Sequence, residues 1–488
     1  MNEPESFREA FARAGEWIAE YYRDTEHFPV LSRAAPGALV RALPPGAPEQ
    51  PVSYAEILED FERLIVPAVT HWNHPRFFAY FAISATPASV IAEALAAALD
   101  QNAMLWRTSP AATELEEVVV GWLRELMGLD SGWHGWIYDT ASIGGFTALA
   151  AAREAVGIEV RERGLAGRRD LAALRVYLTA HTHSHIEKAA IALGIGRENV
   201  VRVAVDERYA MRPEALANAI AQDRALGLTP MCAVATVGTT STTAFDPLEP
   251  IGEITSHEQV WLHVDAAYAG AAALLPEHRA LLAGAERADS LVVNPHKWLF
   301  VPVDCSVLYV RDPELLRRTF SLVPDYLAHD DDGVRNGMDY GLQLGRRFRA
   351  LKLWFALRRL GAAQIRALIA GHIALAQRFA QWVRAEPDWE VVAPHPLSVV
   401  CFRSAPPGFD ADAVDGLNAR IVDAANSGGE IFLSSTRLDE RLVLRLAIGN
   451  ERTTEADVAT AWRVLRECAA AARAEPQYTR KYASRSQG

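Results

Sequence analysis

The chain has 488 residues and a mass of 53.5 kDa, which is too long for one compact core and predicts two or three structural units. Half of its residues are hydrophobic and 23% are charged, as in ordinary globular proteins rather than disordered chains. The net charge of −12 argues against a nucleic-acid partner, because neutralising phosphates requires a basic surface.

No targeting, membrane or metal signal stands out in the sequence. Residues 1–13 are polar and lack the apolar core of a signal peptide. The most apolar stretches, such as 79–92, are shorter than the ~20 residues that span a membrane. The four cysteines form no CxxC pair and show no metal-ligand spacing. We therefore predict a cytoplasmic protein that holds no metal and contacts no membrane.

The first part of the chain, 1–86, is predicted to be a helical segment. Apolar residues recur on one helical face over 6–23, and 54–65 has a similar pattern. The stretch between them, 28–53, is rich in proline and alanine, which is typical of an extended connector. The segment has too little apolar content to fold alone, so we expect it to pack on another body or another subunit.

From about residue 87 to residue 360, helical patterns alternate with short apolar runs. The runs that are typical of strands are Leu174–Leu178, Val200–Val203, Met231–Val237, Val260–Val264, Ser290–Val293 and Ser306–Val310. This alternation predicts an α/β domain with a mostly parallel sheet covered on both faces. Ligands bind such sheets at the carboxyl ends of the strands, so the residues that follow these runs are candidates for function.

The last part of the chain, 361–488, is predicted to be a smaller α+β domain. It opens with one long amphipathic helix over 361–385 and continues with strand-like runs in 389–402 and 431–448. A further helical pattern covers 455–474. The sequence contains no internal repeat and no low-complexity segment.

Lys297 is the main candidate for covalent chemistry. It lies in the pentapeptide NPHKW (294–298), directly after an apolar run, and Trp298, Leu299 and Phe300 follow it. An apolar pocket lowers the pKa of a lysine and makes its amine a usable nucleophile. The alternative is a lysine whose stem lies along a buried strand while its ammonium reaches water.

Asp265 ends another apolar run, in the segment HVDAAYAG (263–270). A carboxylate at a strand end can keep a pyridinium nitrogen protonated, and the small residues after it let a flat ring approach the backbone. Taken alone, such an aspartate is more often a helix or turn cap. The pair of Asp265 and Lys297 on successive strand-like runs is much more specific.

Three further segments have patterns typical of cofactor sites. DTASIGG (139–145) puts hydroxyl and small side chains at a helix start, where backbone N–H groups favour a phosphate, although simple N-capping gives the same pattern. TAHTHSH (179–185) carries three alternating histidines, which favour one flat imidazole over a planar ring rather than a metal site. GTTSTT (238–243) is a hydroxyl-rich turn after another strand and is a weak signal.

Together these residues resemble the group II decarboxylases that depend on pyridoxal 5′-phosphate (PLP), the family of the aromatic-L-amino-acid decarboxylases. The resemblance runs from about Phe7 to Ala474. It is most specific in HVDAAYAG, NPHKW, HWNHPRFFAYF (71–81), SPAATELE (109–116) and LGRRFRALKLWF (344–355). It implies an α/β type I PLP fold like that of aspartate aminotransferase, with 87–360 as the large PLP-binding domain. It also implies a homodimer with active sites at the interface, in which 1–86 packs on the partner.

The resemblance assigns roles around the cofactor. Lys297 would carry PLP as a Schiff base, and Asp265 would pair with the pyridine nitrogen. His183 and Ala267 would lie against opposite faces of the ring. The residues that would hold the phosphate or lie near it are Thr140, Ala141, Ser142, Asn294, His296 and Thr240.

The resemblance also indicates a substrate pocket. The residues that would line it are Trp72, Tyr80, Phe81, Asn102, Met104 and Gly345. Several positions depart from the family pattern: Thr140 stands for its usual serine, Ile143 for a glutamate, and Ala82-Ile83 for a Pro-Thr pair. Gly345 matches the glycine of aromatic decarboxylases and favours a bulky aromatic substrate. Phenylalanine, tyrosine, tryptophan and dihydroxyphenylalanine remain open.

Tyr326 matches the mobile-loop tyrosine that, in this family, reprotonates the substrate carbon after CO₂ leaves. Members with phenylalanine there tend to be oxidative aldehyde synthases, so Tyr326 argues against that activity. The prediction is PLP-dependent decarboxylation of an L-amino acid, with an aromatic side chain, to an amine and CO₂. Two alternatives remain: oxidative decarboxylation–deamination to an aldehyde, and a non-catalytic PLP-binding protein.

Overall fold

The computed structural model describes residues 6–81, 83–322 and 333–474. The chain divides into two compact units. We call Ile83–Ala376 with Ala393–Val399 the large unit, and Met1–Ala82 with Gln377–Val392 and Val400–Gly488 the small unit. The N-terminal segment and most of the C-terminal part of the chain thus belong to the same unit.

The helices and strands follow closely the pattern of apolar residues in the sequence. The α-helices are α1 (Phe7–Asp24), α2 (Ala38–Ala42), α3 (Tyr54–Asp60), α4 (Pro87–Leu99), α5 (Pro110–Met127), α6 (Ala141–Ala155), α7 (Val160–Arg163), α8 (His185–Ala192), α9 (Pro213–Ala225), α10 (Leu248–His257), α11 (Pro295–Trp298), α12 (Pro313–Phe320), α13 (Ala350–Ala385), α14 (Ala411–Gly428) and α15 (Glu455–Ala474). The strands are β1 (Phe77–Phe78), β2 (His134–Tyr138), β3 (Leu174–Thr179), β4 (Val200–Val203), β5 (Thr229–Thr236), β6 (Trp261–Asp265), β7 (Ser290–Val293), β8 (Ser306–Val310), β9 (Trp389–Val391), β10 (Val399–Ser404), β11 (Phe432–Leu438) and β12 (Arg441–Ala447). Among the residues placed by the structure, no helix combines the length and the apolar character needed to cross a membrane.

The large unit is built on a seven-stranded sheet with the order β2-β8-β7-β6-β5-β3-β4. The neighbours from β4 to β7 pair in parallel, whereas β8 is antiparallel to both β7 and β2. All six predicted strand runs lie in this sheet, which confirms the mostly parallel architecture. The central strands are buried along their whole length, as expected for a sheet covered on both faces.

Two glycines let helix α6 lie close to its neighbours. A Cβ atom at Gly144 would lie 3.1 Å from the Val292 side chain of β7, so an alanine there would require that side chain or the helix to shift by a few tenths of an ångström. A Cβ atom at Gly145 would lie 2.7 Å from the ring of His185. These close approaches set the position of the N-terminus of α6, where Thr140 is the N-cap residue.

The small unit contains a second sheet, with the strand order β1-β11-β12-β10-β9. The pairs β11–β12 and β9–β10 are antiparallel, and β1 joins β11 in parallel. Phe379 packs edge-on against Phe402 at 5.0 Å and against Trp462 of α15 at 5.6 Å, measured between ring centroids. The smaller α+β fold is therefore confirmed, with one strand that comes from the N-terminal segment.

The long helix predicted over 361–385 differs from α13. The helical run begins earlier, at Ala350, and Gly361 interrupts it with a left-handed φ of 68°. Two helices therefore meet at this glycine, because a left-handed residue cannot continue the i to i−4 hydrogen-bond pattern.

A buried ion pair in the large unit connects α5 to the segment that carries Gly345. The Arg346 guanidinium lies 2.6 Å from the Glu116 carboxylate, and both side chains are less than a tenth exposed. The same carboxylate accepts the Ile137 N–H of β2 at 2.8 Å. The Arg346 backbone N–H donates to Oδ1 of Asn102 at 2.9 Å. The pair thus holds two predicted substrate residues, Asn102 and Gly345, against the sheet.

Glu116→Gln is expected to lower the free energy of unfolding by about 3–5 kcal/mol, because it leaves the buried Arg346 charge without a partner. The measurement is thermal unfolding of the variant beside the unmodified protein. The matched control is Glu430→Gln, which removes an exposed ion pair with Arg463 and should change the stability by about 1 kcal/mol or less. Equal shifts for the two variants would contradict the structural role of the buried pair.

Candidate active site

The carboxyl ends of neighbouring parallel strands bring together three of the predicted catalytic residues in the large unit. Asp265 is the last residue of β6. Lys297 lies on the short helix α11, just after β7, and His183 follows β3. Because β7, β6, β5 and β3 are successive neighbours in the sheet, these side chains share one edge.

Asp265 is a buried carboxylate, with 5% of its surface exposed. Burial alone raises its pKa, but electrostatic interactions with His185, Lys297 and His263 and a hydrogen bond from the Ala267 N–H outweigh it and lower the pKa. That hydrogen bond, to Oδ1, is 3.1 Å long. Asp265 is therefore an anion, as required of a partner for a protonated pyridine nitrogen.

Lys297 is half-buried, interacts with this carboxylate and is followed in sequence by three buried apolar residues. Burial lowers the pKa of Lys297, while the Asp265 charge raises it in part. Trp298, the next residue, is fully buried and stacks on Tyr268 at 4.7 Å, which holds the short helix α11 in place. A lysine with a depressed pKa is the expected nucleophile for an aldehyde.

His183 and His185 form a hydrogen-bonded pair after β3. Their Nδ1 atoms are 2.9 Å apart, and the His185 backbone N–H also donates to Nδ1 of His183 at 3.3 Å. His183 is exposed on the surface of the chain, whereas His185 is 4% exposed. Partial burial of the ring and the Lys297 charge lower the pKa of His183, although Asp265 opposes them. The sequence assigned no role to His185, although the alternation of histidines was visible.

The start of α6 has the features of a phosphate site. The N–H groups of Ile143 and Gly144 donate to the Thr140 carbonyl at 3.1 and 3.0 Å, so the amides of Ala141 and Ser142 come before the first bond of the helix. Ser142 is exposed, and the Thr140 hydroxyl donates to Asp139 at 3.0 Å. Amides at a helix N-terminus are suited to an anion.

Asn294 and His296 precede Lys297 in sequence and are buried. The amide oxygen of Asn294 accepts the Ser306 hydroxyl at 2.6 Å, so its NH₂ group is the part that remains to donate elsewhere. His296 accepts the Cys305 N–H at Nδ1 at 2.9 Å. Burial and the Lys297 charge lower the pKa of His296 to about 3, so its ring is neutral.

Ala267 and Thr240 also lie near the strand ends. Ala267 is buried, belongs to the core cluster of the sheet and donates its N–H to Asp265. Thr240 is half-buried in the turn after β5, close to Gly238, whose φ of 90° requires glycine. A Cβ atom at Gly238 would also lie 2.6 Å from that of Ala269.

The six predicted substrate residues fall into two groups. In the large unit, Nδ2 of Asn102 donates to Sδ of Met104 at 3.5 Å, and Asn102 is also the nearest neighbour of Gly345. In the small unit, Trp72 stacks on Tyr80 with ring centroids 5.6 Å apart. Phe81 is nearly buried and lies under the Arg445 guanidinium, 5.8 Å from it. Tyr326 and Ala82 lie outside the described residues.

The residues of the large unit fit PLP. The cofactor needs an amine for its aldehyde, an anion for its ring nitrogen and donors for its phosphate, and these are present in Lys297, Asp265 and the start of α6. Within the described ranges, no group of three or more histidine, cysteine, aspartate or glutamate residues has metal-binding geometry.

Comparison with known proteins agrees with this fit. Residues 36–405 match the pyridoxal-dependent decarboxylase conserved domain. The chain is 41% identical to tryptophan decarboxylase 2 of Oryza sativa subsp. japonica over 95% of its length and 94% of the relative's. It is 40% identical to phenylacetaldehyde synthase of Arabidopsis thaliana over 93% of both chains. The crystal structure of Catharanthus roseus tryptophan decarboxylase in complex with L-tryptophan superimposes with a TM-score of 0.89 and 34% identity, over 96% of this chain and 100% of that one.

Lys297→Ala is expected to abolish the covalent link between the protein and PLP, because it removes the amine beside Asp265. The measurement is borohydride reduction followed by mass spectrometry of the intact chain. The matched control, Lys188→Ala, changes an exposed lysine on α8 and should leave the adduct at full stoichiometry. A complete adduct in Lys297→Ala would show that another amine binds the cofactor.

Asp265→Asn is expected to lower turnover by at least about 100-fold, because a neutral amide cannot stabilise a proton on the ring nitrogen. PLP content and circular dichroism should change little, since the amide oxygen can still accept the Ala267 N–H. Near-normal turnover in a variant that is fully loaded with PLP would contradict the role of the buried anion.

Proposed function

Because the chain belongs to the pyridoxal-dependent decarboxylase family, we propose that it converts an aromatic L-amino acid into the corresponding amine and CO₂. The protein is a PLP-dependent carboxy-lyase. The observation that carries the proposal is the anionic Asp265 beside Lys297 at the strand ends of the large unit. The tryptophan and tyrosine decarboxylases among its relatives support the aromatic substrate.

When bound, PLP supplies an electron sink for the bond that breaks between the substrate's α-carbon and its carboxylate. Lys297 would bind the cofactor's aldehyde carbon, and Asp265 would hold a proton at its ring nitrogen. The amides of Ala141 and Ser142, with the NH₂ group of Asn294, would bind the phosphate. These residues lie on a buried sheet and its adjoining helices, so the charges around the reaction are in place before the substrate arrives.

Two residues are proposed to act on protons and on ring orientation. His183 would lie against the face of the cofactor ring that Ala267 does not cover, and Tyr326 would deliver a proton to the substrate carbon that has lost CO₂. His183 follows β3 at the same edge as Asp265. Tyr326 is assigned from its sequence segment alone.

The aromatic preference is supported by the space beside Gly345. Among the described residues outside its own chain neighbours, Asn102 alone would lie within 4 Å of a Cβ atom there, at 3.8 and 3.9 Å, so these residues leave room for part of a bulky ligand. Trp72, Tyr80 and Phe81 would supply aromatic surface, for which a planar substrate side chain has the matching shape.

A homodimer remains a prediction, as does a cytoplasmic location. The N-terminal helices of the small unit expose large apolar side chains: Phe7 is 69% exposed, Phe11 57% and Ile57 51%. Exposed apolar side chains of this number on neighbouring helices are typical of a surface that another chain covers.

The proposed function is tested with the purified protein, added PLP and a panel of L-amino acids. Tryptophan, tyrosine, phenylalanine and dihydroxyphenylalanine should release CO₂ and an equal amount of amine, and glutamate and histidine should react far more slowly. Mass spectrometry of the products and O₂ uptake are measured together. Failure of every aromatic amino acid in PLP-loaded protein would overturn the substrate class.

The same assay tests the alternative reaction, oxidative decarboxylation to an aldehyde. The similarity to a phenylacetaldehyde synthase is the reason to test it. Tyr326→Phe is expected to shift the product from amine toward aldehyde, ammonia and hydrogen peroxide, because the ring remains but the proton donor is lost. Proton donation by a positioned acid is worth about 10²–10⁴-fold, so the product ratio should change clearly. An unchanged amine yield without peroxide would mean that another group, such as His183, delivers the proton.

A further inference from the structure

The histidine pair after β3 has a geometry that determines where the protons lie. The backbone N–H of His185 points to Nδ1 of His183, and a backbone N–H can only donate. Nδ1 of His183 is therefore an acceptor. Since Nδ1 of His185 lies 2.9 Å from the same atom, it must be the second donor, and the two donors share one lone pair.

The buried side of His185 supports the same assignment. Its Nε2 atom is buried and has no hydrogen-bond partner within the described part of the chain. A proton on that atom would be a buried donor without an acceptor, which costs about 1–3 kcal/mol. A proton on Nδ1 has an acceptor in His183, so this tautomer of the neutral ring is favoured.

His185 is held as a neutral ring by its surroundings. Burial lowers its pKa to about 4; the Asp265 charge opposes this effect, whereas His183 and Lys297 add to it. Gly145 of α6 closes the other side, since a Cβ atom there would lie 2.7 Å from both Cδ2 and Nε2. The ring is thus confined between α6 and the strand end, and its Nδ1 proton faces His183.

We propose that His185 is a positioning residue for the decarboxylation: its Nδ1–H donates to Nδ1 of His183, orients that ring and places its proton on Nε2. This inference rests on the proposed function, in which His183 lies against the cofactor. The neutral His183 ring then carries its proton on Nε2. If the ring flipped, its Nδ1 atom would lose both hydrogen bonds that it accepts from His185. His185 touches neither substrate nor cofactor in this role and acts only through its neighbour.

Two substitutions separate the hydrogen bond from the volume of the ring. His185→Leu fills a similar volume but removes the Nδ1–H donor. We expect kcat to fall by up to about 100-fold, as for other small misplacements of reacting groups. KM and PLP content should change little. His185→Asn places an amide N–H where Nδ1 lies in histidine and should restore most of kcat.

The matched control is His181→Leu, which changes a histidine of the same loop whose ring contacts Tyr209 edge-on at 5.1 Å. It should leave kcat unchanged. Full kcat in PLP-loaded His185→Leu would overturn the proposal. So would an asparagine variant as slow as the leucine variant, because then the donor would not be what matters.

A measurement on the unmodified holoenzyme does not depend on the activity of any variant. Nitrogen-15 spectra of histidine-labelled protein report which ring nitrogen carries the proton, and the signals of His183 are those that disappear in His183→Gln. The expected result is a protonated Nε2 and an unprotonated Nδ1. A proton on Nδ1 of His183 would overturn the proposal. The spectrum is recorded without turnover. It therefore tests the tautomer of His183 even if the amine assay contradicts the proposed function.

Discussion

The negative charge of Asp265 is the constraint on which the rest of the site depends. A carboxylate this deeply buried is stable as an anion only when nearby positive charges and N–H donors offset the loss of water. The structure supplies the N–H of Ala267 from the same loop and the positive charge of Lys297 from α11, and His185 at the start of α8 also interacts with the carboxylate. His263 lies two residues earlier on β6 and thus on the same face of the strand. The amine and the anion therefore depend on each other, since each shifts the pKa of the other.

The parallel sheet explains how residues far apart in sequence meet. Each crossover returns the chain to the same edge, so the loops after β3, β5, β6 and β7 are neighbours although more than a hundred residues separate the first from the last. The glycines of α6 let that helix lie close to Val292 and His185, so its N-terminus also lies near this edge. Cofactor chemistry is thus concentrated in one unit, while the aromatic cluster around Trp72 belongs to the other.

Much of this could be predicted from the sequence, because buried parallel strands are continuous apolar runs and the reactive residues follow them directly. The exceptions have physical causes. Strand β2 begins with His134 and Gly135 and has no clear alternation of apolar and polar residues. Its sequence therefore does not predict a strand, and its extended conformation depends on the hydrogen bonds to β8. Strand β1 is two residues long and has no periodicity to detect. Gly361 breaks α13 through its backbone angle, which leaves the apolar pattern on either side unchanged.

Sequence patterns also predict some residues of the candidate site better than others. The proximity of Lys297 and Asp265 could be predicted because both follow apolar runs, and those runs mark the ends of strands. The role inferred for His185 depends instead on a hydrogen bond across two residues of a loop, and thus on backbone angles that residue types do not specify. Its alternation with His181 and His183 was visible, but the three rings have different surroundings: one contacts Tyr209, one is exposed and one is buried.

The contact between Gly145 and His185 has a consequence for how this site can change over evolutionary time. With a histidine at position 185, a methyl group at position 145 would collide with the ring, so the two positions cannot vary independently. A lineage that loses the imidazole first can then accept alanine in the helix. Once that alanine is present, a return to histidine requires the ring or the helix to shift and is disfavoured until the glycine is restored. Substitutions at the two sites therefore have a required order, and a chimera that combines one from each of two homologues can fail although both parents are active.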